Sequence, residues 1–174
     1  MKIASLVVFV SLTAAIVSAD VAPPVDMSTR ARGASRVVVA QVADVQAQFQ
    51  TNRFGDQLIV SNVLLDVSET LKGSPTATLR VSIEGGTVGD LTLKVSDMPA
   101  FRAGDRAVFF LDGAAGDVQL PHERGRGILK LGADDRVQGS AVTLDDVRDQ
   151  IRAALSLAGR IGQRFRLRAA SCDR

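Results

Sequence analysis

The run ATLRVSIEGGTVGDLTLKVSDMPAFRAGDRAVFFL, from Ala77 to Leu111, alternates apolar and polar side chains in three segments separated by glycine-rich turns. Leu79, Val81 and Ile83 alternate with Thr78, Arg80, Ser82 and Glu84; Leu91, Leu93 and Val95 alternate with Thr92, Lys94 and Ser96; Ala107, Phe109 and Leu111 follow. Successive side chains of a strand point to opposite faces, so this rhythm sends one row into a core and the other into water. The run predicts three strands of one sheet.

The flanking segments add to that sheet. Ser35 to Val45 carries Val37, Val38, Val39, Ala40, Val42 and Val45, a β-branched run apolar on both faces, as in a central strand. Gln46 to Gln57 reads as a polar loop. In Leu58 to Leu71 the apolar residues move from even positions (Leu58, Val60) to odd ones (Val63, Leu65, Val67), and a slip near Ser61-Asn62 predicts a β-bulge and a curved sheet. Val118 to Leu120 and Ile128 to Leu131 are short strands between turns, giving about seven strands in all.

The period then changes. Leu144, Val147, Ile151, Ala154, Leu155 and Ala158 recur at three and four, Thr143 is placed to cap the helix with Asp146 three residues on, and Gly159 is placed to end it. The fold class expected is mainly β: a small curved or closed antiparallel barrel, OB-like, with one C-terminal amphipathic helix. A β-sandwich with an appended helix is the second choice. Closure also removes the exposed edges that so many apolar strands would otherwise present.

With 174 residues, 46% of them hydrophobic and 23% charged, the chain is sized for one core that needs no disulfides. Met1 to Ala19 reads as a signal peptide, with Lys2 before the apolar run Ile3 to Val17 and Val17-Ser18-Ala19 at the cleavage positions. An apolar run of about fifteen residues is short of the roughly 20 that span a bilayer. Residues 20–34, with Pro23-Pro24, read as a flexible lead-in, 35–159 as the β-barrel domain with its helix, and 160–174 as a basic tail. Secreted or periplasmic localisation follows from the leader.

At Val37 to Val45, Val63 to Ser74 (VLLDVSETLKGS) and Phe101 to Leu111 (FRAGDRAVFFL) the chain resembles the OB-like barrels of netrin and metalloproteinase-inhibitor type modules. It is also similar to exported bacterial proteins of the same layout. The resemblance implies the fold. The inhibitors use an amino-terminal cysteine to chelate the protease zinc, whereas here Asp20 would be the first mature residue and Cys172 is the only cysteine, so that mechanism transfers to no residue of this chain.

The chemistry-bearing residues are few. His122, the only histidine, sits beside Glu123, but no serine lies in a nucleophile-elbow context, and one histidine with one cysteine is too few for a zinc site. Asp112, Asp117, Asp134, Asp135, Asp145 and Asp146 lack the spacing of a calcium loop and read as turn formers. Glu84-Gly85-Gly86-Thr87-Val88-Gly89 runs into a strand where a phosphate-binding loop runs into a helix, so it reads as a hairpin. No catalytic residue, metal or cofactor is expected.

Two candidates for contact remain. Arg160, Arg164, Arg166 and Arg168 form the one charge concentration, suited to an anionic surface; with no Trp or Tyr in the chain nucleic acid is not the expected partner. Cys172, an odd cysteine in an exported chain, is a candidate for an intermolecular disulfide. The expectation is an exported non-catalytic binding or accessory module of the cell envelope or extracellular space, with an unknown protein or envelope component as partner. The alternatives are a divergent hydrolytic enzyme and a protease-inhibitor-like domain.

Overall fold

Two long strands set the frame. β1 (Arg36–Thr51) and β2 (Gln57–Lys72) pair antiparallel along almost their whole length. The computed structural model describes residues 26–52, 54–113 and 117–169, with side chains up to residue 157. The segment expected as a loop is therefore mostly strand: Ala47 and Phe49 alternate with Gln46, Gln48 and Gln50, and the ladder to β2 satisfies their main chain. The turn itself is short. Asn52 Oδ1 accepts the main-chain N–H groups of Phe54 (2.8 Å) and Asp56 (2.9 Å), the side-chain mimicry of a backbone turn that asparagine makes well.

β3 (Thr78–Glu84) pairs antiparallel with β2. A separate two-stranded hairpin follows, β4 (Gly86–Val88) with β5 (Leu91–Leu93). β6 (Arg106–Gly113) pairs with the inner half of β1, and β7 (Val118–Pro121) pairs with both the end of β6 and β3. The order β1-β2-β3-β7-β6 thus returns to β1 and closes a ring of five strands, while β8 (Ile128–Leu131) lies on β6. The β3–β7 pairing is parallel, which corrects the wholly antiparallel expectation. The reason is arithmetic, since strand directions cannot alternate all the way round a ring of odd number.

Two further expectations are corrected. Leu91 to Val95 is no strand of the ring; Leu91 is 61% exposed and Leu93 pairs only within the hairpin. The bulge is not at Ser61-Asn62, where pairing with Ala47 and Gln46 is regular; the β1–β2 register shifts at Val37/Val38, Val39/Ala40 and Val42/Asp44 instead. Ser61 points inward in phase with Ile59, Val63 and Leu65, because its hydroxyl donates to the Gly85 carbonyl at 2.7 Å and so needs no water.

The apolar-on-both-faces character of β1 has a direct structural counterpart. Val38, Ala40 and Val42 lie inside the ring with Leu65, Val81 and Phe109. Val37 and Val39 face outward into a second core with Val108 and Phe110, covered by two helices, α1 (Met27–Gly33) and α2 (Leu144–Ala169). Helix α1 thus lies within the segment 20–34 expected as a lead-in. Asp26 caps α1 by accepting the Ser28 N–H at 3.0 Å, and Lys72 at the end of β2 donates to the otherwise unpaired carbonyls of Ala31 (3.0 Å) and Arg32 (2.9 Å).

Helix α2 starts on a reciprocal cap. Thr143 N donates to Asp146 Oδ2 at 2.9 Å and Asp146 N to Thr143 Oγ1 at 3.2 Å, and the Thr143 hydroxyl bond holds the Asp146 carboxyl below its ordinary range. Thr143→Ala removes the two bonds of the Thr143 hydroxyl, the one it donates to Asp146 Oδ2 and the one it accepts from Asp146 N, so urea unfolding should show a loss of about 1 kcal/mol. The backbone stays helical through Gly159 to Ala169, past the expected end. An interior glycine costs only about 1 kcal/mol relative to alanine, a penalty its helix-forming neighbours absorb.

Candidate functional site

The hairpin β4–β5 does not join the ring; it lies across the ring's mouth. Gly85 and Gly86 make the crossing, at φ 106° and 134°, backbone that a residue with a Cβ rarely adopts. Gly85 N donates to the Ile59 carbonyl at 2.8 Å, and a Cβ on Gly86 would overlap the Ser61 hydroxyl and press on Ala47. Between the hairpin, the loop that follows it and the ring's inner wall lies a half-open groove of about 750 Å³.

Its floor is apolar: Val45, Val63 and Ile83 come from the ring, and Val95, Met98 and Phe101 from the covering loop. The loop is pinned from below. Lys130 Nζ donates to the Ala100 carbonyl (3.0 Å) and Asp105 Oδ2 (2.8 Å) and lies 5.0 Å from the Phe101 ring, which itself packs against Phe109 at 5.5 Å. Burial pushes the Asp105 carboxyl up, but the bond from Lys130 and the Arg102 N–H outweigh it and hold it low.

A second clasp closes the far end. Arg124 donates from Nε to Asp97 Oδ2 and from Nη2 to Glu84 Oε2, both at 2.8 Å, joining the turn after β7 to the covering loop and to the end of β3. The bond to Arg124 lowers the Asp97 carboxyl, and the two acids raise the Arg124 guanidinium. Glu123 and Arg124 are both left-handed, at φ 52° and 60°, in a chain where such values otherwise fall mostly on glycine. The sequence drew the eye to His122; the residue that ties the covering loop to β3 is Arg124, two positions on.

His122 has a different setting. Its Nδ1 is 2.8 Å from Asp112 Oδ2, and its Nε2 edge abuts Gly33 so closely that a Cβ there would fall 2.6 Å from Nε2. Ser35 lies in the same cluster, donating through Oγ to the Leu111 carbonyl (3.0 Å) and accepting the Gly113 N–H (3.0 Å). Serine, aspartate and histidine thus meet, yet the hydroxyl is bonded to main chain and the outer ring nitrogen faces a glycine. This geometry braces the end of α1 and Ser35 against the end of β6 and the turn after β7, and pairs no nucleophile with a base.

Among the described residues no group of three or more histidine, cysteine or acidic side chains is placed to hold a metal ion, and no helix is long and apolar enough to cross a membrane. Arg160, Arg164, Arg166 and Arg168 stand on the helical backbone of α2, with their side chains outside the described residues; Cys172 and residues 1–25 also lie outside them. The comparisons with known proteins are negative: the sequence matches no protein-family model and none of the curated proteins.

Proposed function

We propose that this chain is an exported, non-catalytic binding or accessory module of the cell envelope or extracellular space, built on an OB-like barrel whose ligand lies in the groove at its mouth. The groove carries the reading: its roughly 750 Å³ and its apolar floor rimmed by polar groups match the dimensions and composition of small-molecule sites. A five-strand ring with one parallel pair supports the OB-like assignment. So does the placement of the three segments that resemble netrin and metalloproteinase-inhibitor modules, since they fall on β1, β2 and β6, which are neighbours in the ring.

The test uses Nile red, a neutral dye that brightens in apolar surroundings, with the intact chain and a Val95→Trp variant that fills the groove from its covering loop. Wild type is expected to enhance the dye and the variant to lose the enhancement at an unchanged melting temperature. Equal enhancement in both would place the binding surface elsewhere.

A further inference from the structure

We infer that the groove takes an anionic amphiphile: a carboxylate or phosphate head held at the rim by Lys94 and Arg102, with an apolar chain lying along the floor. This rests on the binding-module reading and adds the ligand class. The argument is one of charge accounting. Glu84 is the one carboxylate of the lining and is already held by Arg124 at 2.8 Å. Asp97, beside the lining, is held by the same guanidinium, and Asp105 by Lys130.

The two cations of the lining are in the opposite position. Among the described residues neither Lys94 Nζ nor the Arg102 guanidinium has a hydrogen-bond or ion-pair partner, and both side chains are exposed at the rim. Glu84, Asp97 and Asp105 are three acids held by two cations, Arg124 and Lys130, so once Lys94 and Arg102 are counted the groove and its surroundings carry a net charge of +1, and that surplus stands at the rim above a low-dielectric floor, where an anion is favoured more than in open water. A fully polar ligand would leave the half-buried Val45, Met98 and Phe101 uncovered. A cationic one would meet Lys94 and Arg102 head on. An anionic head on an apolar tail satisfies both halves of the site.

Dodecanoate, dodecyl phosphate, dodecanol and dodecyltrimethylammonium, each below its micellar concentration, are titrated against Nile red bound to the intact chain. The two anions should displace the dye on the order of tenfold more tightly than the alcohol or the cation, the gain of two partly exposed ion pairs. A Lys94→Gln/Arg102→Gln variant should lose that advantage and keep its affinity for dodecanol. If alcohol and anions compete equally, or the double variant still prefers the anions, the ligand class is wrong while the groove remains a binding site. If Nile red itself fails to bind, both readings fall. Sedimentation with phosphatidylglycerol vesicles separates the sources of the head group: the chain should stay in the supernatant, and co-sedimentation abolished by the double variant would assign the head to a bilayer and overturn the free amphiphile.

Discussion

Gly125→Ala is expected to cost about 3 kcal/mol of stability and to abolish Nile red binding, because overpacking against main chain has no soft partner to yield. A Cβ at this position would overlap the Asp97 carbonyl oxygen and lie 3.3 Å from Met98 Cα, so no rotamer change relieves it. The turn is already strained by the left-handed Glu123 and Arg124, a cost on the order of 1 kcal/mol each that persists only because Arg124 is tied to Asp97 and Glu84. Pushing Asp97 away breaks the tie, and Met98, part of the groove wall, moves with it. Gly113→Ala is the control, since a Cβ there meets nothing within 4 Å and its φ is not left-handed; it should unfold within about 0.5 kcal/mol of wild type. A Gly125→Ala chain with the wild-type urea midpoint and intact dye binding would show that the clasp does not hold the groove.

That turn also shows where the sequence stops being informative. A period of two in Leu79 to Ile83 and Ala107 to Leu111, and valines on both faces of β1, are written in side-chain chemistry alone, and these elements form the ring and its two cores. The Thr143–Asp146 cap is equally local, and it is present. Leu91 to Val95 has the same rhythm, but alternation says only that a segment is extended and not which neighbour it pairs with; glycines at left-handed φ fold it back on itself. A bulge was expected at Ser61-Asn62, where the register is regular, because a buried serine with a bonded hydroxyl mimics an apolar position in burial but not in letter. Helix α1 offered only Met27 and Ala31 as apolar residues, and its ends are secured by Asp26 and by Lys72 from a strand about forty residues on, a contact no local window contains. The groove itself arises from a hairpin lying over a ring, so its cations, Lys94 and Arg102, looked like any exposed strand and loop charges.

Arg30→Met should raise stability by about 2 kcal/mol, because it removes a buried charge that has no acceptor while keeping an unbranched chain of similar reach. Arg30 is 2% exposed on the inner face of α1, and its Nε, Nη1 and Nη2 have no hydrogen-bond partner among the described residues. Burial pushes its guanidinium down; Glu123 acts in the opposite sense and Arg126 adds to the effect of burial. Arginine nevertheless stays protonated at neutral pH, so folding leaves the full desolvation penalty in place. The compensation in view is the Phe110 ring, 5.4 Å from the guanidinium carbon, and a cation over an aromatic face contributes about 2 kcal/mol at best where desolvating an ion costs several. Methionine can keep the contact with Phe110 and extend the apolar surface formed by Met27, Ala31 and Val147. For a domain of this size the gain corresponds to a melting temperature roughly 5 °C higher, read by differential scanning calorimetry. Melting at or below the wild-type temperature would mean that the guanidinium has an acceptor supplied from outside the described residues, and the docking of α1 would then depend on that contact and not on the apolar face alone.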